Sequence, residues 1–459
     1  MTLTPAQLLS DLAKFPKAER YWIAFSGGLD SSVLLHAMAA SRQALQADVA
    51  AVHIDHGLQT QSLVWQTHCE KFCHELNIPL TTLMVDVDRQ SGKGLEAAAR
   101  AARYQAFASI LREGDAICLA QHQNDQAETL MLQLLRGSGV AGLAAMPRSK
   151  PFASATLLRP LLPYSRSELQ TYAEQHGLNW IEDPSNEHLT FDRNYLRHEV
   201  MPLLKKRWPV TDRSMARSAT HLAEANALLL EVAAEDWQRA QDGPHTELSM
   251  ETLISLSPGR QRNLVRYWIH HINSAPLPDT KRLQQIFSEV MAASGDAEPC
   301  VRWQNVALRR YRQRLYLTTA ELAVGQTHAW DLRQPLSLGA LNIRLSVEPC
   351  DVNGLDADLT GRHNIRIGFR QGGEVCRPMG RGGRHHELRK LFQEWGIPPW
   401  QRRRVPLLYV GDEIAAVIGF CVCEGYASQR QTRGLNIKIE DLSGDGIARQ
   451  SENNDNTAD

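Results

Sequence analysis

The order of apolar and polar positions predicts alternating strands and helices in the first half of the chain. Short apolar runs with β-branched and aromatic residues, the first at 21–25, are typical of buried strands. Longer segments between them carry apolar residues at helical spacing. The further predicted elements are strands at 47–54, 80–87, 116–120 and 157–161 and helices at 63–76, 94–111, 125–135 and 166–176. This alternation predicts an α/β fold with a doubly wound, mostly parallel sheet.

The pattern changes near residue 210. Three helical segments follow, at 214–242, 258–273 and 278–293, and they predict a small helical domain. Beyond residue 336, short strand-like runs such as 405–410 and 414–421 flank an amphipathic helix at 385–395, which predicts a mixed α+β domain. We therefore expect an α/β domain at 1–210, a helical domain at 211–330, an α+β domain at 336–445 and a disordered polar tail at 446–459.

The charge of the chain is nearly balanced, with 50 Lys and Arg against 51 Asp and Glu. Any surface for nucleic acid must therefore be local. Residues 361–404 contain eleven Lys and Arg against three Asp and Glu, together with Phe392, Trp395 and Trp400. This basic segment is what an RNA-backbone contact surface would look like, and a solvated charged face is the alternative.

The eight cysteines are scattered and include no Cys-x-x-Cys pair, which argues against a zinc ribbon and against a redox dithiol. The first residues lack a basic segment followed by an apolar one. The longest uncharged apolar stretch, at 414–423, is too short to span a bilayer. We expect a cytoplasmic protein that does not enter a membrane.

A glycine-rich turn stands directly between the first predicted strand and the helix that follows it. Two glycines allow a sharp turn, and the free N–H groups of a new helix, helped by serine hydroxyls, favour a phosphate. No Gly-x4-Gly-Lys-[Ser/Thr] loop occurs in the chain, so cleavage of a γ-phosphate is not the default expectation. A plain glycine turn capped by its first serine is the alternative. This predicted phosphate loop comprises Ser26, Gly27, Gly28, Leu29, Asp30 and Ser31.

Asp30 is the unusual member of the phosphate loop. A carboxylate beside bound phosphate is repulsive unless a cation lies between them. The sequence therefore predicts that Asp30 holds a Mg²⁺ ion that bridges phosphate oxygens of ATP.

Other polar residues follow the next strands, and the carboxyl ends of strands in a doubly wound sheet are where ligands collect. His53, Asp55 and His56 follow the second strand, either as metal ligands or as a polar loop that lines a nucleotide pocket. Arg100 and Arg103 share one face of the helix after the third strand. Two arginines there suit phosphate or developing charge, and a solvated amphipathic helix is the alternative.

His122, Asp125 and Glu128 lie three residues apart at the start of the helix after the fourth strand. Asp125 and Glu128 can receive the ammonium group of an amine substrate or take a proton from it. Simple helix capping by Asn124 or Asp125, with Glu128 near N3, is the alternative, and both can hold. Further along, Arg193 and Arg197 share one helical face near the same end of the sheet, with an exposed helix start as the alternative.

Taken in order, these motifs cover most of residues 20–205 and resemble the bacterial tRNA(Ile)-lysidine synthetase family of the PP-loop, or N-type, ATP pyrophosphatase superfamily. The resemblance extends more loosely to 389–392 and 396–400. The matching motifs are the phosphate loop, His53-x-Asp55-His56-Gly57, Gly94-x-Glu96-Ala97-x-Ala99-Arg100-x-x-Arg103-Tyr104, His122-x-x-Asp125-x-x-Glu128-Thr129, Arg136-Gly137-Ser138-Gly139-x-x-Gly142-Leu143 and Asp192-Arg193-Asn194.

The resemblance implies a reaction in two steps at the wobble cytidine of a CAU-anticodon isoleucine tRNA. ATP adenylates the 2-carbonyl oxygen and releases pyrophosphate, and the ε-amine of lysine then displaces AMP. It implies catalytic roles for Asp30, Arg100, Arg103, Asp125, Glu128 and Arg193, with ATP and Mg²⁺ as cofactors. A homodimer is one oligomeric state that the sequence allows.

Two alternatives remain at this stage. A sulfur-inserting tRNA enzyme would share the phosphate loop, but those branches typically need paired cysteines. The other alternative is an RNA-binding protein that retains a nucleotide without catalysis.

Overall fold

The structure is a computed structural model of the 459-residue chain. The chain divides into two compact units, residues 1–229 and 230–459. The predicted tail at 446–459 and the predicted site residue His56 lie outside the described residues. The structure describes residues 3–55, 62–86, 95–183, 188–241, 243–293, 297–321, 323, 325–350, 354–359, 364–428 and 434–442.

The first unit is built on a six-stranded sheet with the strand order β3-β2-β1-β4-β6-β5. All neighbouring strands pair in parallel except β5 and β6, which form an antiparallel hairpin at one edge. The predicted doubly wound, mostly parallel sheet is therefore confirmed. Its strands are β1 Arg20–Ala24, β2 Asp48–Asp55, β3 Leu80–Met84, β4 Asp115–Cys118, β5 Ser149–Phe152 and β6 Ala155–Leu158.

Helices connect the successive parallel strands β1 to β4, and the predicted helices all occur with small changes at their ends. Alternate residues of β1 enter two different apolar clusters, Ile23 one and Trp22 the other, so both faces of the sheet are covered. The helices are α1 Pro5–Leu12, α2 Leu29–Leu45, α3 Ser62–Glu75, α4 Leu95–Ile110, α5 Gln123–Leu135, α6 Val140–Leu143, α7 Arg166–Gln175, α8 Asp192–Tyr195, α9 Met201–Arg207 and α10 Thr211–Ala240, with a π-helical turn Leu196–Val200 between α8 and α9.

The strand order reverses between β1 and β4, which are neighbours in the sheet although two strands separate them in sequence. In doubly wound sheets the crevice outside the carboxyl ends of such strands is where ligands bind. The phosphate loop follows β1, and His122 precedes α5 just after β4. The topology thus brings these two motifs to one place.

The second unit begins with helices, as predicted for 258–273 and 278–293. It also contains a four-stranded antiparallel sheet, β7-β10-β9-β8, that the sequence analysis did not predict. The elements are α11 Met250–Ser255, α12 Pro258–Tyr267, α13 Thr280–Gln285, π-helical turns Trp268–Ile272 and Ile286–Met291, β7 Glu247–Ser249, β8 Cys300–Trp303, β9 Val306–Tyr311 and β10 Arg314–Thr319.

The remainder of the second unit is rich in strands and contains one further helix, as predicted. The run at 414–421, predicted as a single strand, is instead two strands separated by a turn with Gly419 at a φ of +86°. The elements are β11 His328–Ala329, β12 Leu336–Leu338, β13 Ile343–Cys350, β14 Leu355–Asp356, β15 Ile365–Phe369, β16 Val375–Cys376, β17 His386–Glu387, α14 Leu388–Glu394, β18 Pro406–Val410, β19 Glu413–Val417, β20 Cys421–Val422 and β21 Gly434–Asp441, with 3₁₀ turns Gly339–Leu341 and Ala357–Leu359.

Candidate active site

The phosphate loop makes a tight turn from β1 into α2. Gly27 lies in the left-handed region with a φ of +81°, and a Cβ there would come within 3.1 Å of the Cys69 Sγ. Both the backbone conformation and the space behind the loop therefore favour glycine at this position.

Hydrogen bonds inside the loop hold its serines in place. The Ser31 hydroxyl donates to the Gly28 carbonyl at 3.0 Å, and the backbone N–H of Ser26 donates to Ser31 Oγ at 3.3 Å. The N-cap of α2 is Gly28, which has no side chain to cap the helix. The first N–H groups of this 17-residue helix are thus left for an anion.

Asp30 connects the phosphate loop to α5 through His122. The Nε2 atom of His122 lies 3.5 Å from Asp30 Oδ2 and 3.5 Å from Asp125 Oδ2. His122 is buried, which opposes its protonation, but Asp125, Asp30 and Glu128 outweigh that effect and raise its pKa above the usual value. The His122 ring between Asp30 and Asp125 thereby joins the predicted ATP site to the predicted amine site.

Asp125 is an anion in this environment. Burial would raise the pKa of its carboxyl, but His122, Arg193 and Arg197 together lower the pKa below its usual value. The backbone N–H of His122 also donates to Asp125 Oδ2 at 3.0 Å, which closes the start of α5. The acidic cluster and a capping arrangement therefore both occur, but the N-cap is His122 with Asp125 at N3, and not Asn124 or Asp125 with Glu128 near N3 as predicted.

Glu128 is buried and lies between two arginines. Arg193 donates from Nε to Oε2 at 2.8 Å, and Arg197 donates from Nε to Oε1 at 2.7 Å and from Nη2 to Oε2 at 3.0 Å. Both arginines also reach Asp125 Oδ1, at 3.3 and 3.2 Å. Two carboxylates and two guanidinium groups therefore form one nearly neutral network.

This network sets a condition on the predicted role of Glu128. Because both of its oxygens already accept hydrogen bonds, an incoming ammonium group must replace an arginine contact or share an oxygen with it. The side chains of Arg193 and Arg197 are each 24% exposed, so solvent reaches the network. The roles of Asp125, Glu128 and Arg193 in an amine step stay predictions.

Arg100 and Arg103 belong to a second group on α4, where both are exposed. The Arg100 guanidinium lies over the Tyr104 ring at 5.0 Å and donates to its hydroxyl at 3.2 Å. The buried Arg159, just after β6, interacts with Tyr104 and also donates to the Gln121 side chain. Gln121 directly precedes His122, so these two residues link the arginine group on α4 to the carboxylate network on α5.

Arg197 was predicted only to lie beside Arg193 and had no predicted site role, and Arg159 was not predicted at all. The helical spacing of Arg193 and Arg197 was the available signal for the first residue. Arg159 follows an ordinary apolar strand, and nothing local in the sequence distinguishes it.

The residues present fit a Mg²⁺ ion held mainly through substrate. Asp30 Oδ1 is buried and has no hydrogen-bond partner among the described residues. No group of three or more His, Cys, Asp or Glu side chains suited to a metal occurs in the described ranges. One carboxylate together with phosphate oxygens is a usual Mg²⁺ arrangement.

His53, predicted either as a metal ligand or as a residue that lines the nucleotide pocket, forms a hydrogen bond to the backbone. Its Nδ1–H lies 2.9 Å from the Phe25 carbonyl, one residue before the phosphate loop, and the ring is buried. His53 and Asp55 lie inside β2 and not in a loop after it, and this contact places His53 beside the phosphate loop. No helix among the described residues is long and apolar enough to cross a membrane.

A phosphate loop with this aspartate, at the switch point of a doubly wound sheet, defines a PP-loop ATP pyrophosphatase, a class that uses ATP. The family models agree in chain order. The model described as a PP-loop domain matches residues 2–204, the TilS substrate binding domain matches 248–316, and the TilS substrate C-terminal domain matches 365–439.

The chain belongs to the tRNA(Ile)-lysidine synthase family. It is 42% identical over 440 residues to the tRNA(Ile)-lysidine synthase of Coxiella burnetii, covering 95% of this chain and 97% of the relative. It is 42% identical over 447 residues to that of Alkalilimnicola ehrlichii, covering 97% and 98%. The resemblance read from the motifs is confirmed.

Among solved structures, the U34-tRNA thiolase NcsA from Methanococcus maripaludis with its [4Fe-4S] cluster covers 48% of this chain and 78% of its own, at 16% identity and a TM-score of 0.41. That degree of likeness carries no argument about function.

Proposed function

We propose that the protein joins L-lysine to C2 of the wobble cytidine in a CAU-anticodon tRNA(Ile). The cytidine O2 attacks the α-phosphorus of ATP, and pyrophosphate leaves. The lysine Nε, after losing a proton, then attacks C2, and the C2–O bond breaks with AMP as the leaving group. Family membership over nearly the whole chain supports this reaction, and the relatives carry its name.

The observation that carries the proposal is the chain of contacts Asp30–His122–Asp125, with 3.5 Å at each step. It joins a phosphate-binding turn to a carboxylate cluster within one crevice. A reaction that activates a substrate with ATP and then adds an amine needs both parts together.

Each residue has a proposed task. The phosphate loop grips the pyrophosphate portion of ATP through the N–H groups of α2 and the hydroxyls of Ser26 and Ser31. Asp30 holds Mg²⁺, which would neutralise charge on the departing pyrophosphate. Asp125 and Glu128 orient the lysine ammonium and take its proton.

The arginines have tasks on the anionic side of the reaction. Arg100 and Arg103 meet RNA or AMP phosphate from the exposed face of α4. Arg193 holds Glu128 in position until lysine arrives. A cytoplasmic location follows if tRNA is the substrate, and the eight free cysteines suit a reducing compartment. A homodimer and the predicted domain boundaries stay predictions.

The test is a nucleoside mass spectrum of a CAU-anticodon tRNA(Ile) transcript after incubation with the full chain, ATP, Mg²⁺ and lysine. We expect lysidine in place of the wobble cytidine. Without lysine, pyrophosphate should still appear while lysidine does not. A thiolated cytidine formed with a sulfur donor, or no pyrophosphate release at all, would contradict the proposal and favour one of the two alternatives.

A further inference from the structure

The second unit contains a small cavity that the proposed reaction does not use. It has a volume of about 280 Å³, just below the range of roughly 300–1,000 Å³ for pockets that hold drug-sized ligands. Its size suits one ring system. The lining residues are Glu298, Arg309, Pro399, Trp400 and Arg403.

The turn that carries Trp400 is fixed by contacts on two sides. The buried Arg402 donates from Nε to the Ile397 carbonyl at 2.9 Å and from Nη2 to the Tyr311 hydroxyl at 3.4 Å. The edges of Tyr311 and Tyr316 pack against the Trp400 ring, with centroids 6.2 and 5.2 Å away. The cavity wall is therefore preorganised by its neighbours.

The guanidinium group of Arg309 lies over the Trp400 ring, and the two side chains form one cationic surface. The guanidinium of Arg309 lies 5.3 Å from the centre of the indole ring, and its Nε donates to Thr318 Oγ1 at 3.3 Å. The indole N–H of Trp400 is buried and has no hydrogen-bond partner within the described part of the chain.

We propose that this cavity binds one unstacked nucleotide of the tRNA, with its base against the Trp400 and Arg309 surface and its phosphate near Arg403. The proposal rests on the proposed function in so far as tRNA is the substrate. The cavity is lined by two arginines, Arg309 and Arg403, and by one acidic residue, Glu298. This excess of positive charge favours an anionic ligand. Aromatic rings and arginine planes are the surfaces on which proteins stack exposed bases.

A base-paired segment would not fit this description. Within a duplex each base is covered on both faces by its neighbours, so a ring in a cavity can contact only a base that has left the stack. The cavity takes Pro399, Trp400 and Arg403 from the basic segment 361–404, but it contacts a single base, whereas the other exposed basic residues of that segment can follow a phosphate backbone of any base sequence.

The test compares tRNA(Ile) binding by the full chain and its variants without ATP or lysine. Trp400→Ala and Arg309→Gln should each weaken binding about ten-fold, the usual effect of losing one base-stacking contact. Trp400→Phe keeps a ring and should lose less. Arg333→Gln removes an exposed charge of the same unit that is not among the cavity's lining residues, and it is the matched control.

A competition experiment shows which form of RNA the cavity takes. A short single-stranded oligonucleotide should displace part of the tRNA from the wild type but not from Trp400→Ala, and a blunt duplex of equal length should displace the same amount from both. The proposal would be overturned if the single strand displaced as much tRNA from Trp400→Ala as from the wild type. It would also be overturned if Trp400→Ala and Arg309→Gln bound tRNA as well as Arg333→Gln does. A wild type that binds no tRNA would instead contradict the proposed function. Trp400→Phe supplies the comparison if Trp400→Ala does not fold.

Discussion

Arg197 and Glu128 stand 69 positions apart in the sequence and form a two-point ion pair, with Nε–Oε1 at 2.7 Å and Nη2–Oε2 at 3.0 Å. The pair ties the short helical segment that carries Arg193 and Arg197 to α5. Glu128 is 3% exposed, so the arginines also balance the charge of a buried carboxylate.

Replacing Arg197 should lower stability and disturb the amine step. Arg197→Gln leaves Glu128 with Arg193 alone, so we expect a loss of about 2 kcal/mol in the free energy of unfolding, less than the ~3–5 kcal/mol for a buried charge with no partner. Arg197→Lys keeps the charge but not the two-point geometry and should be intermediate. Urea unfolding curves measure this order, and equal stability of all three proteins would contradict it.

Asp30→Ala should cut pyrophosphate release by about 100-fold or more with little change in the melting temperature. The proposed reason is the loss of the carboxylate that holds Mg²⁺ at the phosphates. Asp48→Ala, which removes an exposed surface carboxylate, is the control and should leave the rate unchanged. Normal pyrophosphate release by Asp30→Ala would rule the role out.

Glu128→Gln should separate the two steps of the reaction. Its carboxylate is assigned to lysine, so pyrophosphate release should persist while transfer of lysine to tRNA falls by about 100-fold. Assays of the two partial reactions show the difference, with the exposed Glu75→Gln as the matched control. Equal loss of both steps would point to metal binding or to misfolding.

The stability contribution of His122 should depend on pH. Its pKa in the folded protein lies above the unfolded value near 6.5, because Asp125 and Asp30 outweigh the effect of burial. A raised pKa means that the contribution is complete below the unfolded value and is lost as pH rises through the folded value.

The measurement is the difference in unfolding free energy between the wild type and His122→Gln, without Mg²⁺. This difference should be largest below pH 6.5 and shrink above it. The pH dependence of the stability contributed by Asp125 has the opposite sign. Its pKa is lowered in the folded protein, so its contribution is lost only as pH falls through the folded pKa. A difference that grew with rising pH would contradict the raised pKa of His122.

The basic segment at 361–404 should dock tRNA through its exposed charges. Arg384 and Arg389 are exposed, while Arg381 and Lys390 pair with Glu394 and Glu387 at the surface. Changing all four to Gln should raise the KM for tRNA and flatten its salt dependence. The double change of Arg384 and Arg389 should account for most of the effect, and an unchanged salt slope would make the segment a solvated face.

The fold of the first unit could be predicted because its signals are local. Apolar runs and helical spacing place β1 to β4 and α3 to α5 within a few residues of their observed bounds. The phosphate loop could be predicted for the same reason, since six adjacent residues carry it. The sheet β7-β10-β9-β8 was missed because its short strands interrupt their apolar pattern with arginines, as in Arg309 and Arg310 of β9.

The candidate site could be predicted only in part. The motifs name Asp125 and Glu128, but the partners of Glu128 lie 65 and 69 positions away, and only the fold brings them together. Arg159 contacts Gln121 across 38 positions, and no periodicity indicates such a contact. Whether the oxygens of Glu128 already accept hydrogen bonds depends on residues that are distant in sequence. The sequence around Glu128 therefore could not show that lysine has to displace or share an arginine contact.

The thiol of Cys69 lies directly behind Gly27 and provides a way to measure movement of the phosphate loop. Cys69 is fully buried, its Sγ lies 3.6 Å from the His53 ring, and burial raises its pKa to about 12. At neutral pH it is therefore a protonated and shielded group that a thiol reagent reaches only when the segment around Gly27 moves away. We therefore expect the rate at which Cys69 becomes labelled to report how often the phosphate loop opens, and a bound nucleotide should slow that rate.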